Sequence, residues 1–228
     1  MPPRVTTNRA NCWMNEPVVI LGSGGHARVV LDVLQCMGRT VAGVLTPEQP
    51  VGAEWDGVPV LGDDAWLASA QAAGYAYAVG IGAVPGRMGL RQAMCARLRQ
   101  LGLPVPALVH PSAVVSRRAA VADGVQVMAG AIVQPGVSLG MHALINTGAR
   151  IDHDTVIGEG AHIAPSAVLC GDVRVGAGAF VGAGAVVLPR VVIGDGAEVA
   201  AGATVTCDVP PRHRYIPGHP FKRLGDPT

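Results

Sequence analysis

Aromatic residues are scarce in this chain of 228 residues, since Phe, Trp and Tyr together make up only 4% of it. Half of the residues are nevertheless hydrophobic, so the core must consist of aliphatic side chains rather than clustered rings. Neither sign of charge predominates, because 17 Lys and Arg stand against 16 Asp and Glu. This balance does not favour nucleic acid or an anionic membrane as the main partner.

Cysteine is also sparse, and the five cysteines are scattered without the spacing of metal ligands. We interpret them as reduced thiols of a cytoplasmic protein and expect no bound metal. No hydrophobic run is long enough to span a bilayer. Residues 1–16 lack the apolar segment of a secretory signal. Because Met14 directly precedes the first strand pattern, we expect these residues to be a disordered extension or a mis-assigned start. The cysteines are Cys12, Cys36, Cys95, Cys170 and Cys207.

An aliphatic residue recurs at every sixth position in the second half of the chain. The fifth residue of each six-residue unit is Ala, Val or Thr, and the fourth is Gly in nine of the seventeen units. A period of six is not that of a helical repeat. The seventeen first positions are Val109, Val115, Val121, Val127, Val133, Leu139, Ile145, Ile151, Ile157, Ile163, Leu169, Val175, Val181, Val187, Ile193, Val199 and Val205.

A six-residue unit is one short strand and a turn, so three units form one triangular coil. We expect the first residue inside the prism, the small fifth residue at its corner, and the fourth residue in a turn conformation that glycine tolerates best. The pattern predicts a left-handed parallel β-helix of nearly six coils over residues 107–210. Residues 211–228 would follow it as a C-terminal tail.

Residues 17–106 predict a separate small α/β domain, because strand and helix patterns alternate there. The aliphatic run at 18–21 leads through a glycine loop into a helical pattern closed by Gly38. We interpret the domain as a small Rossmann-like parallel sheet, joined to the β-helix through Pro104 and Pro106. Its further elements are predicted at residues 41–45, 58–61, 64–72, 75–81 and 86–101.

Two side-chain placements follow from these helical patterns. Asp63 or Asp64 is expected to cap the helix that runs through Ala72. The last helix should carry arginines on its polar side. These are Arg91, Arg97 and Arg99.

The glycine loop, Gly22 to Ala27, fits the pattern G-x-G-x-x-A of dinucleotide sites. The domain has room for only one mononucleotide-sized half, and the acidic residue expected at the end of strand two is replaced by Leu45 and Thr46. Two interpretations remain open. Backbone amides at the helix N-terminus bind the phosphates of a nucleotide-diphosphate ligand, or the loop is a purely structural tight turn.

His153 is the strongest candidate for catalysis within the repeats. It occupies a third position, where residues such as Arg117 and Asp123 indicate that the side chain faces outward. A histidine titrates near neutral pH and can act as a general base, and Asp154 could orient it. Alternatively, Asp154 is an ordinary turn residue, as Asp172 would be at the same position of its unit.

The eighteen-residue coil places further residues near one another. Gly171 lies one coil beyond His153, about 5 Å along the axis, where its backbone N–H could approach a developing oxyanion. Pro165, Ala183 and Ala201 are spaced by eighteen and form a ridge of small side chains. The ridge could border a groove for a long thin ligand or a close subunit contact.

These features together resemble the sialic acid O-acetyltransferase family of NeuD-like and PglD-like sugar acyltransferases. The resemblance rests on the Gly22–Ala27 loop, the mononucleotide-sized domain and the repeat segment Asn146 to Asp154, and it covers about residues 17–224. By pattern the chain is similar to N-acetyltransferases of nucleotide-linked 4-amino-4,6-dideoxy sugars. The resemblance implies a homotrimer with active sites between neighbouring β-helices, acetyl-CoA as donor, and a UDP- or GDP-linked amino sugar as acceptor.

The resemblance also implies roles for individual residues. His153 would be the general base, and Asp154 the carboxylate that tunes it. Contacts to acetyl-CoA would come from His162, Ala183, Ala201 and Lys222, with Arg223 as the alternative to Lys222 near the CoA phosphates. The nucleotide-sugar pocket would be lined by four others: Gly22, Ser23, Gly24 and Gly82.

Two positions depart from the family pattern. The acidic residue that usually follows strand two is absent, since Gly43-Val-Leu45 runs into Thr46, and this leaves the base and ribose contacts unassigned. Phe221 stands where an Ala is usual, near the adenine end of the CoA site.

Three other functions are compatible with parts of the sequence. The acceptor could be a sugar hydroxyl, as in O-acetylation of sialic acid. A trimeric β-helix with three histidine ligands, here His142, His153 and His162, could be a metal-dependent lyase of the γ-carbonic anhydrase type. The α/β domain would have no purpose in that lyase. A non-catalytic scaffold is disfavoured by the position of His153 beside small residues.

Overall fold

The computed structural model describes residues 16–83 and 89–225. The chain divides into two compact units between Pro106 and Ala107. The extension predicted at residues 1–16 falls almost wholly outside the described residues, as does the predicted start of the last N-terminal helix at Gly86.

The N-terminal unit contains a five-stranded sheet with the order β3-β4-β2-β1-β5. All neighbouring strands are parallel except β3 and β4, which form an antiparallel hairpin. The buried aliphatic strand β1 lies between β2 and β5, as expected of a fully covered parallel sheet. The strands are β1 (Val18–Leu21), β2 (Val41–Leu45), β3 (Glu54–Trp55), β4 (Val58–Gly62) and β5 (Ala76–Val79).

Two α-helices accompany this sheet, α1 (Gly25–Cys36) and α2 (Gly89–Gln100). The helix predicted through Ala72 is instead two short 3₁₀ segments, Asp64–Ala68 and Ala70–Ala72. Its predicted cap is present, since the Asp63 side chain accepts a hydrogen bond from the Ala65 amide. Within the described ranges, neither α-helix has the length and apolar character needed to cross a bilayer.

The prediction that Arg91 lies on the polar side of α2 is wrong. Arg91 is only 2% exposed, and its Nη1 donates hydrogen bonds to the carbonyl oxygens of Val79 (3.2 Å) and Ile81 (2.9 Å). These carbonyls lie at and just beyond the carboxyl end of β5, so the buried guanidinium links α2 to that end of the strand. Burial lowers the pKa of Arg91, and the nearby Cys95 opposes that shift.

The C-terminal unit begins with seventeen two-residue strands joined by turns of four residues. Numbered β6 to β22, they are Leu108–Val109, Val114–Val115, Ala120–Val121, Gln126–Val127, Ile132–Val133, Ser138–Leu139, Leu144–Ile145, Arg150–Ile151, Val156–Ile157, His162–Ile163, Val168–Leu169, Arg174–Val175, Phe180–Val181, Val186–Val187, Val192–Ile193, Glu198–Val199 and Thr204–Val205.

Every third strand belongs to the same parallel sheet, so residues eighteen apart stack on one another, as Ile151 stacks on Leu169. The chain passes in turn through a first sheet that starts at β6, a second that starts at β7 and a third that starts at β8. We call the turn from the first to the second sheet the first corner, and the following turns the second and third corners. The eighteen-residue register predicted from the sequence is confirmed.

The interior of the prism is filled by the aliphatic ladders. From Val127 to Val205 every first-position side chain is at most 3% exposed, and the fifth-position residues pack among them. The fourth position has φ between 57° and 79° in all fourteen units from Gly124 to Gly202. Five of those residues are not glycine, so the coil imposes this left-handed turn even where the side chain disfavours it.

The C-terminal tail continues the first sheet. Strand β23 (His213–Tyr215) pairs in parallel with the last strand of that sheet, and β24 (Lys222–Arg223) pairs with β23 in the antiparallel sense. Arg214 donates two hydrogen bonds to Glu198 Oε2, one from Nε at 2.9 Å and one from Nη2 at 2.5 Å. This ion pair fastens the tail hairpin to the β-helix, since the Glu198 side chain is only 7% exposed.

Thr155 provides a test of how adjacent coils are joined at the second corner. Its buried hydroxyl donates to the Cys170 carbonyl and accepts from the Val173 amide. We expect Thr155→Val to lower the apparent free energy of unfolding by roughly 1–3 kcal/mol, because both backbone groups lose their partner. Urea unfolding measures this change. Thr204→Val, on an exposed outward position, is the control and should change stability by less than about 0.5 kcal/mol. Equal effects of the two substitutions would contradict the prediction.

Candidate active site

The second corner of the β-helix carries the histidine and aspartate singled out by the sequence. His153 Nδ1 lies 2.9 Å from Asp154 Oδ2, and both side chains are mostly exposed. A carboxylate only accepts hydrogen bonds, so Nδ1 carries the proton. The neutral imidazole therefore has its basic lone pair on Nε2. Asp154 has φ 59°, so it occupies the ordinary turn position and also contacts the histidine.

The surroundings of His153 favour its protonated form. The hydrogen bond that His153 donates to Asp154 raises the pKa of His153, and the negative charge of Asp152 raises it further. Asp172, one coil beyond Asp154, acts in the same direction, although it also lies 3.8 Å from Arg174. Slight desolvation opposes these carboxylates. The imidazole thus holds a proton more strongly than an isolated histidine.

Two glycines leave room for this pair. A Cβ placed on Gly171 would lie 2.5 Å from His153 Nε2, so the imidazole occupies the space above that glycine. A Cβ on Gly136, one coil below Asp154, would lie 2.4 Å from Asp154 Oδ1. The structure therefore brings His153, Asp154 and Gly171 together at one corner.

The predicted ridge of small residues lies at the first corner. One side of the prism separates it from His153 at the second corner. Pro165, Ala183 and Ala201 are exposed there and stack coil on coil. The Gly184 amide donates to the Pro165 carbonyl at 2.9 Å, and the Gly202 amide donates to the Ala183 carbonyl at 2.8 Å. Within one chain the ridge and His153 do not converge.

His162 lies on the first sheet, beside the first corner, and is 5% exposed. Its ring stands edge-on to Phe180, with the centroids 5.0 Å apart. Asn146 Nδ2 lies 3.1 Å from His162 Nε2. The Oδ1 atom of the same side chain accepts a hydrogen bond from the Thr147 amide. Because that amide identifies Oδ1 as the acceptor, Nδ2 donates to Nε2 and the neutral His162 carries its proton on Nδ1.

Asn146 contacts His162, and the repeat pattern did not predict that contact. The available signal was its spacing, since it precedes His162 by sixteen residues, two fewer than one coil. A residue just past its strand can therefore reach back to the next strand of the same sheet.

Lys222 lies at the far end of the sheet that contains His162. Successive partners across this sheet are His162, Phe180, Glu198, Arg214 and Lys222. Four inter-strand steps separate the two ends, which amounts to about 19 Å. The His162 and Lys222 positions are therefore two ends of one sheet rather than one cluster.

The N-terminal unit places the glycine loop at the carboxyl edge of its sheet. Gly22 follows β1 with φ 95°, and Gly24 is the N-cap of α1. A Cβ on Gly82 would lie 3.3 Å from His26 Cβ, so Gly82 borders the same loop. Ser23 lies between the two loop glycines. The four residues predicted to line a nucleotide pocket are thus near one another at the start of α1.

Comparison with known proteins supports the family suggested by these features. Residues 17–93 match the family model of the PglD N-terminal domain. Residues 154–189 and 172–207 match the model of the bacterial transferase hexapeptide with six repeats. Comparison with curated proteins finds no match.

Among solved structures, a histidine-to-asparagine variant of perosamine N-acetyltransferase from Caulobacter crescentus, in complex with CoA and GDP-perosamine, is 40% identical. The alignment covers 92% of this chain and 97% of that chain, with a TM-score of 0.83. The chain belongs to this family of sugar N-acetyltransferases. The acetyltransferase domain of PglB from Neisseria gonorrhoeae, in complex with acetyl coenzyme A, is 32% identical over 92% of this chain and 100% of that chain, with a TM-score of 0.81.

Family membership confirms several predictions made from the sequence. The fold is an α/β domain followed by a left-handed parallel β-helix. The protein is an enzyme, an acyltransferase of the acetyl-CoA-dependent sugar N-acetyltransferase class. The similar structures are N-acetyltransferases and an acetyltransferase domain, bound to CoA or acetyl coenzyme A, which favours acyl transfer over the lyase alternative.

Gly171→Ala tests whether the free space above Gly171 matters for activity. Alanine occupies the same position of other units, at Ala177, Ala183 and Ala201, so the backbone accepts it. The added methyl must displace the imidazole, and we expect kcat for thiol release from acetyl-CoA to fall roughly 10–100-fold.

Gly130→Ala is the matched control for this substitution. Gly130 has φ 67° and open space around its Cβ, so the change should cost roughly 1 kcal/mol of stability through backbone strain alone. The control should keep its activity. If Gly171→Ala is as active as the control, the free space above Gly171 has no catalytic importance.

Proposed function

We propose that this enzyme transfers the acetyl group of acetyl-CoA to the 4-amino group of a nucleotide-linked 4-amino-4,6-dideoxy sugar, with UDP or GDP as the carrier. The observation that carries the proposal is the His153–Asp154 pair at 2.9 Å on a chain 40% identical to a perosamine N-acetyltransferase. That relative was solved with CoA and GDP-perosamine, the two kinds of molecule that such a reaction requires.

His153 is the general base of the proposed reaction. The sugar amine attacks the thioester carbonyl carbon, and Nε2 accepts the proton that the nitrogen loses. Collapse of the tetrahedral intermediate breaks the carbon–sulfur bond, and the protonated imidazole returns its proton to the departing CoA thiolate. No covalent enzyme intermediate is needed, because the two substrates react directly within a ternary complex.

Asp154 and Gly171 assist the base from either side. Asp154 accepts the hydrogen bond from Nδ1, which orients the ring and directs Nε2 toward the substrate amine. Gly171 leaves the space that the imidazole occupies, and its backbone N–H is the proposed donor to the oxyanion.

Acetyl-CoA binds along the first corner and the first sheet in this proposal. Ala183 and Ala201 present backbone and small side chains that let a thin ligand lie close. His162 contacts the acetyl end, and Lys222 the phosphates at the other end. The separation of about 19 Å between those two positions suits an extended ligand.

The nucleotide part of the acceptor binds to the N-terminal domain. Gly22 and Gly24 allow the diphosphate to approach the backbone amides at the start of α1. Ser23 and Gly82 border the same pocket. This assignment follows the preference of helix N-termini for phosphate groups.

A homotrimer completes the proposed active site. In one chain the base at the second corner and the ridge at the first corner are separated by a side of the prism. A neighbouring β-helix packed alongside would bring its first corner next to His153. We therefore propose that acetyl-CoA binds between subunits, with the base from one chain and ridge contacts from its neighbour.

Thiol release from acetyl-CoA, measured against UDP- and GDP-linked 4-amino-4,6-dideoxy sugars and free sialic acid, tests the reaction. We expect turnover with one amino sugar and a loss of about 10²–10⁴-fold in His153→Ala, the usual contribution of a general base. Because His153 is exposed, the variant should keep its unfolding temperature. Turnover with sialic acid alone would show that the enzyme is an O-acetyltransferase. Full activity of His153→Ala would show that His153 is not the general base.

The pH dependence of kcat/KM tests the role of Asp154. His153 must be neutral to accept a proton, so activity should rise with pH through a pKa above the ordinary histidine range. In Asp154→Asn the hydrogen-bonding carboxylate is lost, the pKa falls, and the rising limb should move to lower pH with a reduced plateau. Asp172→Asn, which removes a more distant charge, is the control and should move the limb less.

The sugar amine titrates identically in every one of these assays, so the difference between variants reports on the enzyme. If the rising limb of the pH profile is unchanged in Asp154→Asn, the hydrogen bond between His153 and Asp154 does not set the pKa that controls activity.

A further inference from the structure

The glycine loop has a carboxylate beside it, that of Glu48. Glu48 follows the end of β2 by three residues, and its Oε2 accepts a hydrogen bond from the Ser23 hydroxyl at 3.1 Å. Ser23 is the variable residue between the first two glycines of the loop. An acidic side chain therefore lies beside the glycine loop, three residues beyond the end of β2.

The turn after β2 holds Glu48 in this place. Thr46 is 2% exposed, and its Oγ1 lies 2.8 Å from Ser23 Oγ while accepting a hydrogen bond from the Glu48 amide at 3.2 Å. Trp55 is also buried, and its Nε1 donates to the Ser23 carbonyl at 3.0 Å. Both ends of the Ser23–Glu48 contact are therefore anchored by buried side chains.

The position of this carboxylate relative to the sheet indicates its ligand. β1 and β2 are parallel neighbours, so their carboxyl ends lie side by side at one edge. A diphosphate at the N-terminus of α1 places the attached nucleoside over the end of the adjacent strand β2. An acidic side chain at that point accepts hydrogen bonds from ribose hydroxyls, the 2′-hydroxyl above all.

We propose that Glu48 binds the ribose 2′-hydroxyl and makes the enzyme select ribonucleoside diphosphate sugars over their 2′-deoxyribonucleoside counterparts. The inference rests on the proposed function, since it concerns the carrier of the same acceptor sugar. The Ser23 hydroxyl donates to one oxygen, and the carboxylate retains acceptor capacity for the ribose.

A purely structural Glu48, which only tethers Ser23, would behave differently. Its removal would disturb the glycine loop and weaken both kinds of nucleotide equally. A ribose-binding Glu48 affects only the ligand that has a 2′-hydroxyl. The two roles are therefore distinguished by a double-mutant-type cycle, in which Glu48 is substituted in the enzyme and the 2′-hydroxyl is removed from the nucleotide.

The experiment measures kcat/KM for a GDP- or UDP-linked amino sugar and its 2′-deoxyribose analogue, with wild type and Glu48→Ala. We expect the wild type to prefer the ribonucleotide roughly 10–100-fold, the range of a hydrogen bond to a charged group. Glu48→Ala should lose that preference by losing ribonucleotide activity alone. Equal losses on both substrates, or a preference that survives in the variant, would overturn the proposal.

Asp56→Asn is the matched control. Asp56 is another exposed carboxylate of this domain, paired with Arg28 at 2.7 Å, and asparagine tolerates its φ of 44°. The control should retain the wild-type preference for the ribonucleotide.

Calorimetric titration with GDP, UDP and their 2′-deoxy forms separates this inference from the proposed reaction. If no amino sugar is turned over, the proposed function fails, yet a binding preference for the ribonucleotide that disappears in Glu48→Ala still supports Glu48 as the ribose ligand. Equal binding of ribo- and deoxyribonucleotides by the wild type overturns the inference whatever the enzyme acetylates.

Discussion

The parallel backbone pairing of residues eighteen apart is the constraint on which the C-terminal unit depends. Each coil donates to and accepts from the coils above and below, and the first-position aliphatic side chains form continuous ladders inside the prism. Since strands contribute only two residues each, no single strand is stable by itself, and the coils stabilise one another as neighbours in a solenoid. The turn geometry follows, with φ near 60° imposed even on His142 and Asp154.

This constraint makes the β-helix a rigid support for the histidine–aspartate pair. His153 and Asp154 are adjacent in a turn whose backbone is bonded to the coils on either side, for example through the Asp172 amide and the His153 carbonyl at 2.9 Å. Gly136 and Gly171 leave space below the carboxylate and above the imidazole. The turn position that could have been merely structural is therefore also the one that places a carboxylate on Nδ1.

The N-terminal unit depends on a different arrangement, the meeting of parallel strand ends at one sheet edge. Gly80 shows how tightly this edge is built, because a Cβ there would lie 2.8 Å from the Ala27 Cβ of helix α1. Close packing of α1 on the sheet keeps the glycine loop over the strand ends. Residues far apart in the chain, Ser23 and Glu48, then come within hydrogen-bonding distance.

The local pattern of the sequence by itself determined the β-helix, its register, the left-handed turn at the fourth position and the outward placement of His153, because a six-residue period repeats the same short-range geometry in every unit. It also determined most strands of the α/β domain. Only the tertiary structure decided the burial of Arg91, the contact of Asn146 with His162 and the approach of Glu48 to Ser23. Those contacts join different strands and loops, and their partners are chosen by which chain segments become neighbours in space rather than by any spacing along the chain.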